Sequence, residues 1–244
     1  MKVDAIRLDL RPRSMFEAAD LGVRIVSAHR RSVWASCTPV YVFVLLLASI
    51  ALTFGTGWGV LALIWLKPWF DRTLLFVLAR AAFGEETRFA DVWVARRAIG
   101  WQGLLGALTL RRLSPWRSYV QPVLQLEGQR GKAARQRIAR ILGSHRGAAF
   151  GMQSAFATAE SALAIGMSTI IAWVVPADEG STWLNALVRA PDDWIVGLQL
   201  LCYAGAVLVV EPFFVGAGFA MYLNRRVELE AWDIEQEFRL AFAR

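Results

Sequence analysis

The sequence predicts an all-α protein: a polytopic integral membrane bundle of about four main transmembrane helices, with interfacial or re-entrant helices beside them. Three observations carry that prediction. Apolar residues make up 56% of the 244 positions and charged residues only 19%, with a mean hydropathy of +0.41. Two apolar stretches exceed the roughly 20 residues that separate a bilayer span from a buried core helix. Finally, all but one of the 27 Lys and Arg residues fall on one side of the long apolar segments. The exception, Arg189, sits among Asp178, Glu179, Asp192 and Asp193. Cytoplasmic loops carry such an excess, which sets both termini inside. The net charge of +7 is then a topology signal, with attraction to anionic lipid as a second contributor. No motif of a nucleic-acid-binding module accompanies it, so nucleic acid is not expected as a partner.

Residues 1–32 read as a cytoplasmic N-terminal segment. Met15, Phe16, Ala19, Leu21, Val23, Ile25 and Val26 punctuate its charged residues, and Ser14 stands where an N-cap belongs. Two readings fit: an amphipathic helix on the inner membrane face, or an ordinary lead-in helix. Residues 33–80 form a first hairpin. Its first span runs from Val33 to Phe54 with Trp34 at the inner end, and no charge interrupts Val40 to Leu52. Gly55-Thr56-Gly57 turns the chain and Trp58 marks the outer interface. No cleavable signal peptide is visible, so this span is expected to act as a signal anchor. The second span meets Lys67-Pro68 early. Proline removes a backbone donor and clashes with the preceding turn. A break is therefore expected in the inner leaflet, with Lys67 and Arg72 snorkelling to headgroups and a helix continuing into the cytoplasm.

Residues 81–146 read as a basic cytoplasmic and interfacial insertion. Phe89 to Ile99 is amphipathic. Trp101 to Leu110 is apolar but too short to cross about 30 Å of hydrocarbon, and Arg111, Arg112, Pro115 and Arg117 end it. Residues 147–223 form the second hairpin: Gly147 to Val175, an acidic outer connection, and Trp194 to Leu223. Residues 224–244 are a charged, helix-compatible cytoplasmic tail. The two cysteines, Cys37 and Cys202, fall near opposite faces, so no disulfide is expected and both read as packing residues.

The residues with chemical interest lie in the spans. Glu160 and Glu211 sit near the middle of apolar segments, where an ionised carboxylate needs a partner or water. Lys67 and Arg72 are the candidate counter-charges. Pro212 deprives the Leu208 carbonyl of its usual donor, so a carbonyl beside the Glu211 carboxylate can form a cation or proton site. Glu160, between Thr158 and Ser161, equally fits polar packing between helices. Gly147, Gly151, Ala155 and Ala159 recur every fourth residue, with Ser154, Thr158, Ala162 and Gly166 on an adjacent face. Such spacing lets backbones approach closely, within the chain first and in a homodimer second. Gly216, Gly218 and Ala220 allow the same on the last span. Arg130, Lys132, Arg135, Arg137, Arg140 and Arg146 make a basic stretch that suits anionic headgroups, an acidic protein surface, or the topology signal alone.

Catalysis has little support. The two histidines, His29 and His145, have no ligand spacing, and no nucleophile elbow or phosphate-binding loop is present. No cofactor is expected.

Two stretches carry a resemblance. One is Trp65-Leu-Lys-Pro-Trp-Phe-Asp-Arg72 running on to Phe83-Gly-Glu-Glu86. The other is Glu211-Pro-Phe-Phe-Val-Gly-Ala-Gly-Phe-Ala-Met-Tyr-Leu-Asn-Arg-Arg226, continuing through Leu229 to Glu235 and Phe238-Arg239. Together they resemble a family of uncharacterised multi-pass inner-membrane proteins of Gram-negative bacteria. Members are encoded near a MoxR-type AAA+ ATPase, a von Willebrand A-like protein and a membrane-anchored transglutaminase-like protein. The resemblance implies a bacterial inner-membrane location and a place in a multi-protein membrane system; it brings no activity and no catalytic residues. The membrane domains attached to some glycerophosphodiesterases share only the general layout. The expectation is a non-catalytic anchor or scaffold with membrane or cytoplasmic protein partners. The alternative is a transporter, channel-like or lipid-handling protein that uses Glu160 and Glu211.

Overall fold

The computed structural model describes residues 12–55, 57–100, 114–174 and 193–230, which are helical with no strand among them. Nine helices follow in this described part: α1 (Met15–Ala28), α2 (Arg30–Leu52), α3 (Trp58–Ala82), α4 (Phe89–Val94), α5 (Arg96–Gly100), α6 (Arg117–Gln125), α7 (Gly131–Leu142), α8 (Arg146–Val174) and α9 (Asp193–Glu230). The expectations for Trp101 to Leu110, for Arg111 and Arg112, for the acidic outer connection and for the tail beyond Glu230 lie outside the described residues.

Ser14 caps α1 in a reciprocal box: its hydroxyl accepts from the Glu17 amide at 3.3 Å, and the Glu17 carboxylate accepts from the Ser14 amide at 3.0 Å. The apolar side of α1 packs against α9. Gly22 lies so close to Gly216 that a Cβ on Gly22 would stand 2.2 Å from the Gly216 carbonyl oxygen. Two glycines at a crossing let the backbones meet, so α9 covers Ala18, Ile25 and Val26 on the apolar side of α1, while Phe16 stays exposed. Asn224 fixes the end of this seam, exchanging two 2.9 Å hydrogen bonds with the Arg13 backbone.

α2 and α3 form the first hairpin, closed by a turn in which Gly55 takes a φ of 142°, open to glycine and costly for other residues. The expected break at Pro68 does not occur: α3 is one helix of 25 residues. Its inner half is the middle of the molecule, with Lys67, Phe70, Asp71, Arg72, Leu74 and Leu78 all buried between α2, α5, α6 and α9. Packing of Lys67, Pro68, Phe70 and Asp71 against these neighbours holds the helix across the proline. Lys67 and Arg72 are consequently only 6% exposed, and neither snorkels.

α9 is also continuous through Pro212, about 57 Å long at the standard rise. Gly218 makes a second close approach, to Ser118 of α6, where a Cβ would come within 2.3 Å of the hydroxyl oxygen. The small residues of α8 behave otherwise. Gly147, Ala155 and Ala159 are exposed, as are Thr158, Ala162 and Gly166 on the adjacent face, so this stripe makes no tight contact within the chain.

The helices α2 and Val196–Glu230 of α9 are long and apolar enough to cross a membrane, with mean hydropathies of 2.1 and 1.9. Large apolar side chains lie exposed on four long helices: Phe43, Leu46 and Ile50 on α2, Trp58, Leu61 and Trp65 on α3, Ile165, Ile170 and Trp173 on α8, and Leu201 and Val209 on α9; Phe16 of α1 and Trp93 and Val94 of α4 are exposed as well.

Candidate functional site

A helix interior places residues four apart on one face, and α3 turns Lys67 and Asp71 toward the same neighbours. α8 brings Glu160, α9 brings Glu211, and α6 brings Arg117. The Lys67 ammonium donates to Glu160 Oε2 at 2.6 Å and stands 2.7 Å from Glu211 Oε2. Arg117 Nη2 donates to Glu211 Oε1 at 2.8 Å. Arg117 Nε lies 3.4 Å from Asp71 Oδ2, and the guanidinium stands 5.3 Å from the Phe214 ring centroid, within cation–π range. The five side chains are between 1% and 16% exposed. Short charge-assisted bonds are the strong ones, and removing one partner of a buried pair costs about 3–5 kcal/mol. The cluster therefore ties the middle of α3, α8 and α9 to the insertion through α6.

Of the four intramembrane residues singled out from sequence, Lys67, Glu160 and Glu211 meet in this cluster. Arg72 does not join them. It faces the end of α5, donating from Nε to the Ile99 carbonyl and from Nη2 to the Ala98 carbonyl at 3.4 Å, groups that a helix end leaves without an intrahelical donor. The Glu211 carboxylate lies between the two cations Lys67 and Arg117. Asp71 and Arg117 belong to the cluster and were not among the sequence candidates. Asp71 had a signal, its position one turn beyond Lys67. Arg117 had none, because it follows a segment that no periodicity connects to the spans.

The basic stretch divides. Arg137 points inward, donating to Glu127 through Nε and Nη2 at 2.9 Å each and to Glu230 of α9. Those bonds to Glu127 push its guanidinium further above its ordinary value against the effect of burial. Tyr222 donates to the same Glu127 at 2.6 Å, and Arg226 grips Glu230 through two nitrogens. This second cluster locks α7 and the α6–α7 turn onto the inner end of α9. Arg146 stacks beside Trp116, 6.0 Å from its ring centroid. Arg130, Lys132, Arg135 and Arg140 are exposed and carry no ion pair among the described residues.

A cavity of about 560 Å³ opens beside α6, with Arg72, Trp116, Gln121, Leu124, Arg130 and Leu142 on its walls. Among the described residues no group of His, Cys, Asp and Glu could hold a metal ion; His29 bonds the Ile25 carbonyl and His145 faces Glu228. Both cysteines are free and buried. No protein-family model, curated protein or solved structure matches the chain.

Proposed function

We propose that the chain is a non-catalytic membrane protein whose spans are α2, α3, α8 and α9, and that it anchors partner proteins at its cytoplasmic face. The exposed apolar side chains on those four helices support the four-span reading, since patches of that extent are rare on proteins surrounded by water. The one-sided placement of Lys and Arg along the sequence supports cytoplasmic termini. The bacterial inner membrane follows from the family resemblance.

One observation carries the anchoring role. Arg130, Lys132, Arg135 and Arg140 are exposed and carry no ion pair among the described residues, on a segment that Arg137, Glu127 and Glu230 clamp to α9. A rigid, positively charged platform suits an acidic protein surface, because its docking geometry is set before the partner arrives. A second reading, lipid handling, is favoured by the cavity beside α6. Its volume lies in the range of small-molecule sites, and its walls pair arginines with leucines, as an anionic amphiphile requires.

A photo-crosslinking side chain at Arg135 in native membranes separates the two. The anchor reading expects a near-stoichiometric protein adduct, lost when Arg130, Lys132 and Arg140 are changed to Glu while membrane insertion persists. Adducts to phospholipid alone would favour lipid handling, and a protein adduct unaffected by the charge reversals would overturn the platform.

A further inference from the structure

Formal charge does not balance in the central cluster. Lys67 and Arg117 supply two positive charges, whereas Asp71, Glu160 and Glu211 supply three carboxyl groups. A surplus charge on groups this buried is costly, and a buried carboxyl so placed neutralises itself by binding a proton. Two of the three carboxyls have reason to stay ionised. Glu211 faces Lys67 on one oxygen and accepts from Arg117 on the other, and Glu160 accepts from Lys67.

Asp71 differs. It is 1% exposed, and neither of its oxygens accepts a hydrogen bond. The Arg117 Nε at 3.4 Å does not bond to it. Its carboxyl nonetheless stands beside the Glu211 carboxyl, since one Arg117 guanidinium reaches both, with Nε 3.4 Å from Asp71 Oδ2 and Nη2 2.8 Å from Glu211 Oε1. Two carboxylates offer only acceptors, so that contact becomes a hydrogen bond only when one of them holds a proton. The charged and titratable groups around it are Lys67 on α3, Tyr41 on α2, Arg117 on α6, Glu160 on α8, and Tyr203 and Glu211 on α9. Tyr41 donates to the Ala204 carbonyl at 2.6 Å, and Arg72 donates to the Ile99 and Ala98 carbonyls at the end of α5. The two tyrosines add no positive charge to the five groups.

We propose that Asp71 binds a proton and donates it in a hydrogen bond to the Glu211 carboxylate, which makes the α3–α9 seam a proton-binding site in the centre of the bundle. The bound proton brings the formal charge of the five groups to zero and gives the otherwise unbonded Asp71 carboxyl a partner. The inference does not depend on the anchor reading, since a scaffold and a transporter can both hold this proton.

Infrared spectroscopy of the full-length protein in liposomes at neutral pH tests it. The expected spectrum contains the C=O band of a protonated carboxylic acid, shifted by ¹³C labelling of aspartate and lost in Asp71→Asn. The amide introduced by that substitution keeps a donor toward Glu211, so this variant should melt as the wild type does, whereas Asp71→Ala melts several degrees lower. Absence of any aspartate-sensitive band overturns the proposal. So does a band that survives Asp71→Asn and vanishes in Glu160→Gln, or a cluster whose melting depends on sodium or potassium in place of a proton. If Asp71→Asn does not fold, the labelled wild-type spectrum decides.

Discussion

Replacing Gly22 by alanine tests whether α1 belongs to the bundle or merely lies beside it. The added Cβ would stand 2.2 Å from the Gly216 oxygen, 2.5 Å from its carbonyl carbon and 2.6 Å from the Ala217 nitrogen. Carbon–oxygen contacts between helices settle near 3.3 Å or beyond, so the helices must separate by about 1 Å. All three obstacles are backbone atoms, so no side-chain rotation relieves them, and overpacking of this kind costs about 1–3 kcal/mol. Against that, alanine gains about 0.5–1 kcal/mol over glycine within a helix. A net loss of about 1 kcal/mol lowers the melting temperature by about 2–4 °C for a domain of this size. Cys37 and Cys202 are 1% and 2% exposed, so a thiol-reactive fluorophore reads the unfolding directly. Gly166 provides the control, since a Cβ there meets nothing within 4 Å; Gly166→Ala should raise the midpoint by about 2–4 °C through helix propensity alone. An unchanged midpoint in Gly22→Ala would refute the packing argument, and a lowered one in Gly166→Ala would show that a second molecule covers the α8 stripe.

Lys67→Met strips Glu160 and Glu211 of their shared cation. A loss of about 3–5 kcal/mol follows, read as a collapse in folded yield that Glu160→Gln partly reverses; normal yield of the single variant would contradict the central role of Lys67. The inner cluster predicts a pH dependence. Burial pushes the Glu230 carboxyl up, but hydrogen bonds from Arg226 and Arg137 outweigh it and hold the group below its ordinary value. Its stabilisation is complete above the unfolded value of about 4.3 and fades as pH falls through the lower folded value. Hydrogen exchange in α7 should therefore accelerate, beyond its intrinsic pH dependence, in acid and not in mild base; protection unchanged below about pH 4 would argue against the clamp.

Much of this protein was legible in local signals. Apolar runs of membrane length, the one-sided placement of Lys and Arg, Ser14 followed by Glu17, and Gly55 at a hairpin tip each act within a few residues of chain. They are enough to specify helices, a cap, a turn and an all-helical class. The isolation of Glu160 and Glu211 in apolar surroundings also marked them as needing partners. Which partners they take is not a local property. Lys67 and Glu160 are 93 positions apart, and Arg117 and Glu211 are 94 apart, so only the packing of α3, α6, α8 and α9 decides the pairing. The same holds for proline: Pro68 signals a break in an isolated helix, yet the burial of Lys67, Pro68, Phe70 and Asp71 carries α3 through it. The small-residue pattern of α8 and the glycines of α9 read alike in sequence, and tertiary structure separates them. Gly216 and Gly218 meet other helices while the α8 stripe faces outward, because close approach requires a second surface that sequence spacing cannot supply.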